Sequence, residues 1–165
     1  MSQTYIDVYI DATIPSNLVA RQSRDPKIAG WQNITREFWN DTRFQFIVSD
    51  AVIAEISVGD NLQVVDRLKV VDGLPNLVVE DSDLGLAQQL VDGKAIPQAA
   101  FTDAIHVAVA ARHLVPYLAT WNFAHLANPR TLPKIEQICH DAGYQPSRID
   151  SPEGILEELS CVIIP

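Results

Sequence analysis

The period of apolar and polar positions changes repeatedly along the chain, and each change marks an element. Thr4 to Asp11, TYIDVYID, alternates and is rich in Tyr, Ile and Val, which predicts a strand ending in a carboxylate. Ala12 to Ala20 follows as a helix with Pro15 near its start, and then a polar turn, RQSRDPK. From Lys27 to Asp41 the apolar residues Ile28, Trp31, Ile34, Phe38 and Trp39 recur at helical spacing, so their aromatics are read as core. Phe44 to Ser49 is the second strand; helices are expected over Asp50 to Val58, carrying Glu55, and over Leu62 to Val71. Gly73 and Pro75 break the pattern before a third strand, Asn76 to Glu80. Asp81, Ser82 or Asp83 caps the next helix, which Gly93 ends.

The stretch from Ala99 to Asn128 is different. Residues Phe101 to Val115 leave almost no polar face, which describes a helix buried on most sides, opened by Pro97 and stopped by Pro116. Asp103 stands in its opening turns. Tyr117 to Trp121 is a fourth strand that delivers Asn122 at its C-terminal end. A helix from Leu132 to Ala142 ends at Gly143, and the tail reads as a capped helical turn, SPEGILEEL, then a strand-like SCVIIP. That apolar end is expected to form an edge strand or a homodimer contact. Strands separated by helices of this length predict an α/β fold: a parallel sheet with helices on both faces.

Composition bounds this picture. The chain has 165 residues, 47% of them hydrophobic and 20% charged, which suits one domain with a core over about residues 4–142 and a C-terminal helix and tail over 143–165. No apolar run approaches the roughly 20 residues of a membrane helix. The opening MSQTYIDVYID has no basic leader segment and is read as a strand, so a cytoplasmic protein is expected. Cys139 and Cys161 are too few and too far apart for a disulfide framework or a zinc site and are expected as buried free thiols. A net charge of −9 argues against a protein that simply coats nucleic acid but not against a nuclease, because carboxylates that hold cations are counted in that total. Arg21, Arg24 and Lys27 cluster after the first helix, as a solvated turn or as a holder of phosphates.

In a parallel sheet the strand C-termini and helix N-termini share one edge, where ligands bind. Asp11, Glu55, Asp103 and Asn122 can all reach it. Asp7, four strand residues earlier, lies roughly 13 Å away and cannot. Three ionised carboxylates within about 5 Å repel by about 3 kcal/mol per pair at an effective dielectric of 20, so such a cluster needs protons or cations. Oxygen-only ligands suit Mg²⁺ or Mn²⁺, and the reaction class this suggests is phosphodiester hydrolysis.

Four segments carry a family resemblance: IDATIPSNL around Asp11, VSDAVIAEI around Glu55, TDAIHVAVAA around Asp103 and TWNFAHLAN around Asn122. In this order and at these intervals they resemble the motifs of the PIN domain family over about residues 4–142. The resemblance implies a metal-dependent ribonuclease with a three-layer α/β sandwich, in which Asp11, Glu55 and Asp103 hold Mg²⁺ or Mn²⁺ and position the attacking water. Many bacterial members are the toxin half of VapC-type toxin–antitoxin pairs, which implies RNA as substrate, a small antitoxin protein as partner, and often a homodimer. Where many members carry a further Asp, this chain has Asn122, which contributes no charge and cannot act as a base. His106 and His125, three residues after Asp103 and Asn122, are either holders of a carboxylate or phosphate or satisfied structural histidines. Asn128 is read as closing a turn, and Trp121 as packing or as a base-stacking rim.

Two other readings compete. A haloacid-dehalogenase-like phosphatase would need a second acid two residues after Asp11, where this chain has Thr13. A catalytically silent module with the same fold would bind a protein or RNA without cutting it; metal binding separates it from the nuclease.

Overall fold

The computed structural model describes residues 4–161. Five parallel strands form the central sheet: β1 (Ile6–Ile10), β2 (Phe44–Ser49), β3 (Asn76–Leu77), β4 (Tyr117–Ala119) and β5 (Arg148–Asp150), in the order β3-β2-β1-β4-β5. The helices are α1 (Thr13–Val19), α2 (Pro26–Trp39), α3 (Asp50–Ile56), α4 (Asn61–Val71), α5 (Asp81–Asp92), α6 (Phe101–Arg112), α7 (Leu132–Asp141) and α8 (Pro152–Cys161). From β1 the chain steps outward to β2 and β3, then crosses back to β4 and β5 on the other side. Right-handed crossovers therefore carry α1 to α4 over one face and α5 to α7 over the other, which makes the three-layer sandwich expected from the sequence. Packing agrees: α1 meets α2 and α4, α5 meets α6 and α7, and α8 returns to α2. The point where the direction reverses lies between β1 and β4.

One core fills the sheet's two faces. Val8, Tyr9 and Ile10 of β1 and Leu118 of β4 are completely buried, as are Ala108, Val109, Ala110 and Ala111 of α6. Small alanines there let α6 lie close to α5 and the sheet, which explains why its sequence shows so little polar face.

Several boundaries differ from expectation, each for a local reason. The third strand stops at Leu77 because its partner β2 ends at Ser49, opposite Leu77, and turns into α3; Val79 N–H then donates to the Asp50 side chain at 3.4 Å. β4 stops at Ala119 because its partner Ile10 is the last residue of β1. Pro97 does not open the long helix: it precedes a 3₁₀ turn, Gln98–Ala100. Pro116 does not stop it either. Leu114 takes a left-handed conformation (φ 55°), with its N–H on Ala111 O at 3.1 Å and the Val115 N–H on Ala110 O at 3.0 Å, a Schellman closure that ends α6 at Arg112, ahead of the proline. α5 is capped by Glu80 and Asp83 in a reciprocal box. The tail is helical as far as Cys161, so no strand begins at Ser160. The apolar end over residues 162–165 lies outside the described residues. Cys139 is buried as expected, whereas Cys161 is exposed. Among the described residues no helix is long and apolar enough to cross a membrane.

Candidate functional site

β1 runs out at the switch point, and the first residue beyond it is Asp11. Its carboxylate is 3% exposed. One oxygen accepts from Thr13 N–H at 2.9 Å and Thr13 Oγ1 at 2.5 Å, and the other from Thr120 Oγ1 at 2.5 Å. Each threonine hydroxyl accepts in turn from the segment that follows β4: Trp121 N–H on Thr13 Oγ1, across from the end of β1, and Asn122 N–H on Thr120 Oγ1, within the segment itself, both at 2.9 Å. Asp11 thus ties the end of β1 to the end of β4 without a cationic side chain bonded to it. Burial raises its pKa to about 6, against the opposing pull of His106 and of the two threonines.

Glu55 reaches the same edge from the last turn of α3. Its Oε2 lies 3.0 Å from His106 Nε2, and the completely buried His106 ring lies on Tyr9 OH at 2.7 Å through Nδ1. Tyr9 OH meets Ser49 Oγ at 2.6 Å. A carboxylate can only accept, so Nε2 donates to Glu55, and Nδ1 shares the next bond with Tyr9 OH. One chain of hydrogen bonds therefore runs from β2 through β1 and α6 to Glu55. Burial also pushes the Tyr9 phenol upward, which keeps it neutral.

Asp103 belongs to the first turn of α6. Its Oδ2 accepts from Asn122 Nδ2 at 3.0 Å and from His125 Nδ1 at 2.9 Å. Asn122 also accepts the His125 N–H on its own Oδ1, at 3.0 Å. Both ends of the amide are committed, so Asn122 and His125 brace Asp103. Asn128 accepts the Arg130 N–H at 3.0 Å and closes its turn as expected.

The four expected residues therefore gather at the switch-point edge: Glu55 is bonded to His106 and Asp103 to Asn122, with His106 and Asp103 one turn apart on α6, while Asp11 connects to Asn122 through Thr120 Oγ1. They do not form a bare triad of carboxylates. Among the described residues no group of three His, Cys, Asp or Glu side chains is arranged to hold a metal ion; each acid is instead engaged by hydroxyl, amide or imidazole partners. The donor chemistry still suits a hard cation. All four side chains offer oxygen, and the buried Asp11 lacks the fixed countercharge that its desolvation demands.

Beside these residues opens a cleft of about 420 Å³, lined among others by Thr13, Asn17, Trp31, Glu55, Arg67 and Trp121. Trp121, 5% exposed, stacks on Trp31 with ring centroids 5.0 Å apart and donates Nε1–H to Thr35 Oγ1 at 2.8 Å, so its primary role is packing. Sequence reasoning missed Tyr9, Ser49, Thr13, Thr120 and Arg67. Only the two threonines had a readable signal: Thr13 two residues beyond Asp11 is a local turn partner, and Thr120 immediately precedes the TWN segment's tryptophan.

Compared with models of protein families and with curated proteins, the chain matches none.

Proposed function

We propose that the protein is a metal-dependent ribonuclease of the PIN type, with Asp11, Glu55 and Asp103 as the carboxylates that take up Mg²⁺ or Mn²⁺. The observation that carries this reading is Asp11: a carboxylate buried at the switch point of a parallel sheet, bonded to no cationic side chain among the described residues. A bound cation would offset that cost and would lower the pKa of a coordinated water and neutralise phosphate charge. The chain's own residues do the positioning. His106 orients Glu55, Asn122 and His125 orient Asp103, and Thr13 and Thr120 orient Asp11. The likeness of the four sequence segments to PIN motifs supplies RNA as the substrate class and a small antitoxin as the partner. Both rest on that likeness alone.

The test is cleavage of mixed single-stranded and structured RNAs with Mn²⁺ or Mg²⁺, with an EDTA control. Wild type should cut; Asp11→Asn, Asp103→Asn and EDTA should each reduce the rate by roughly two orders of magnitude or more. Cutting that survives in both variants would refute the assignment. One observation favours a second reading, a silent module of the same fold: the carboxylates are closed by internal hydrogen bonds. A folded wild type that neither cuts RNA nor binds Mn²⁺ would establish it.

A further inference from the structure

Three arginines that fold back on this molecule meet a carboxylate, while the exposed Arg36 reaches the amides of Asn33 and Gln22. Arg112 pairs with Asp83 at 2.6 Å, Arg43 with Asp41 at 2.6 Å, and Arg148 with Glu158 at 2.6 Å. Arg67 does not. It is 8% exposed, the most buried of these cations, and no acidic side chain pairs with it among the described residues. Its Nε donates to Ile56 O at 3.1 Å and its Nη2 to Val58 O at 2.8 Å, so the guanidinium closes the C-terminal end of α3 just beyond Glu55. Those two bonds satisfy backbone carbonyls that a helix end leaves open. They do not neutralise the charge. Arg67 also lines the cleft that holds Glu55 and Thr13, and another lining residue, Trp31, carries Lys27 Nζ at 5.1 Å from its ring centroid.

A buried guanidinium held rigid by two carbonyls, without a carboxylate partner, in the wall of an open cleft that Glu55 also lines, has the chemistry of an anion receptor. We infer that Arg67 binds a backbone phosphate of the RNA strand in this cleft, beside the carboxylate edge. This rests on the ribonuclease reading and assigns that site its phosphate contact. The net negative chain would otherwise repel a polyanion from its own acidic edge; Arg67, with Lys27 held over Trp31, supplies local attraction where the strand must lie.

The test uses the full chain and a short fluorescein-labelled, mixed-sequence, single-stranded RNA, in EDTA so that no divalent cation contributes. Affinity is followed by anisotropy across a KCl series for wild type, Arg67→Gln and Arg67→Lys. Loss of one phosphate contact should flatten the slope of log affinity against log salt by about 0.7 in Arg67→Gln and weaken binding roughly tenfold, whatever the sequence. Arg67→Lys should retain the wild-type slope with intermediate affinity. A residue that only caps α3 would change the melting temperature and leave the salt slope alone. If Arg67→Gln does not fold, the Arg67 Nε–H resonance of the wild type decides: a shift on adding RNA supports the contact, and no shift overturns it. Wild-type binding with an unchanged slope in folded Arg67→Gln would overturn this inference alone. A wild type that neither binds nor cuts RNA would overturn the ribonuclease reading and this contact together.

Discussion

Asp83 and Asp11 are the same residue at nearly the same burial, 1% and 3% exposed, and the fold treats them in opposite ways. Asp83, in the first turn of α5, accepts from Arg112 Nε at 2.6 Å and Nη2 at 2.9 Å and from Glu80 N–H at 2.8 Å. Its charge is met by a full countercharge, and the pair raises the Arg112 pKa while joining α5 to α6. Asp11 accepts only from two hydroxyls and one amide. A carboxylate buried with an arginine is architecture, because the fold itself completes the ion pair. A carboxylate buried without one stores a cost that a proton or a cation relieves, and that cost lies at the edge where parallel sheets bind ligands.

The contrast can be broken from either side. The largest effect should come from Arg112→Met, which strands Asp83 in the core and should cost about 3–5 kcal/mol, read as a lowered urea midpoint. Asp11→Asn should move the other way. Because the folded pKa of Asp11 is raised from 3.8 to about 6, its ionisation penalises the native state. The penalty is absent below the unfolded value and grows as pH rises through the folded one, to about 3 kcal/mol at neutral pH. Wild type in EDTA should therefore carry a stability loss between about pH 4 and about pH 7 that Asp11→Asn lacks. The variant's net gain at neutral pH should be smaller, about 1–2 kcal/mol, because an amide oxygen serves only one of the two threonine hydroxyls. Equal pH dependence in the two proteins would mean that Asp11 is not the strained group.

Smaller effects should sharpen the picture at the bracing residues. His106→Gln should weaken Mn²⁺ binding about 10–100-fold by releasing Glu55, alongside a loss of about 1–2 kcal/mol from the broken Tyr9 contact. His125→Ala should reduce Mn²⁺ affinity by about tenfold and stability by under about 1 kcal/mol, since the imidazole is partly exposed and Asn122 still holds Asp103. A calorimetric titration and a urea melt on each variant check both.

The contrast between the two aspartates was only half legible in the sequence. The alternation of Thr4 to Asp11 and the apolar run after Phe101 placed Asp11 and Asp103 correctly at a strand end and a helix start, because period and chain direction fix which edge a residue reaches. Glu55 and Asn122 reach that edge for the same reason. The partners were not legible. Tyr9 and Ser49 looked like ordinary strand positions, and only the pairing of β1 with β2 brings Ser49 against Tyr9 and α6 over both. Asp83 was read as a possible cap, which it partly is, but its pairing with Arg112 spans 29 residues and depends on how α5 packs on α6. β5 escaped because three residues are too few to show a period; it exists through its register with β4. The short third and fourth strands have the same origin, since a ladder ends where its partner ends.

The most direct test of the central claim, that Asp11 is held ready for a cation, is calorimetric titration of Mn²⁺ into wild type and Asp11→Asn at neutral pH and again near pH 5. Wild type should bind, with an affinity that falls as protons compete below about pH 6, and Asp11→Asn should bind at least about tenfold more weakly at neutral pH. No binding by folded wild type, or equal binding by the two proteins at both pH values, would contradict it.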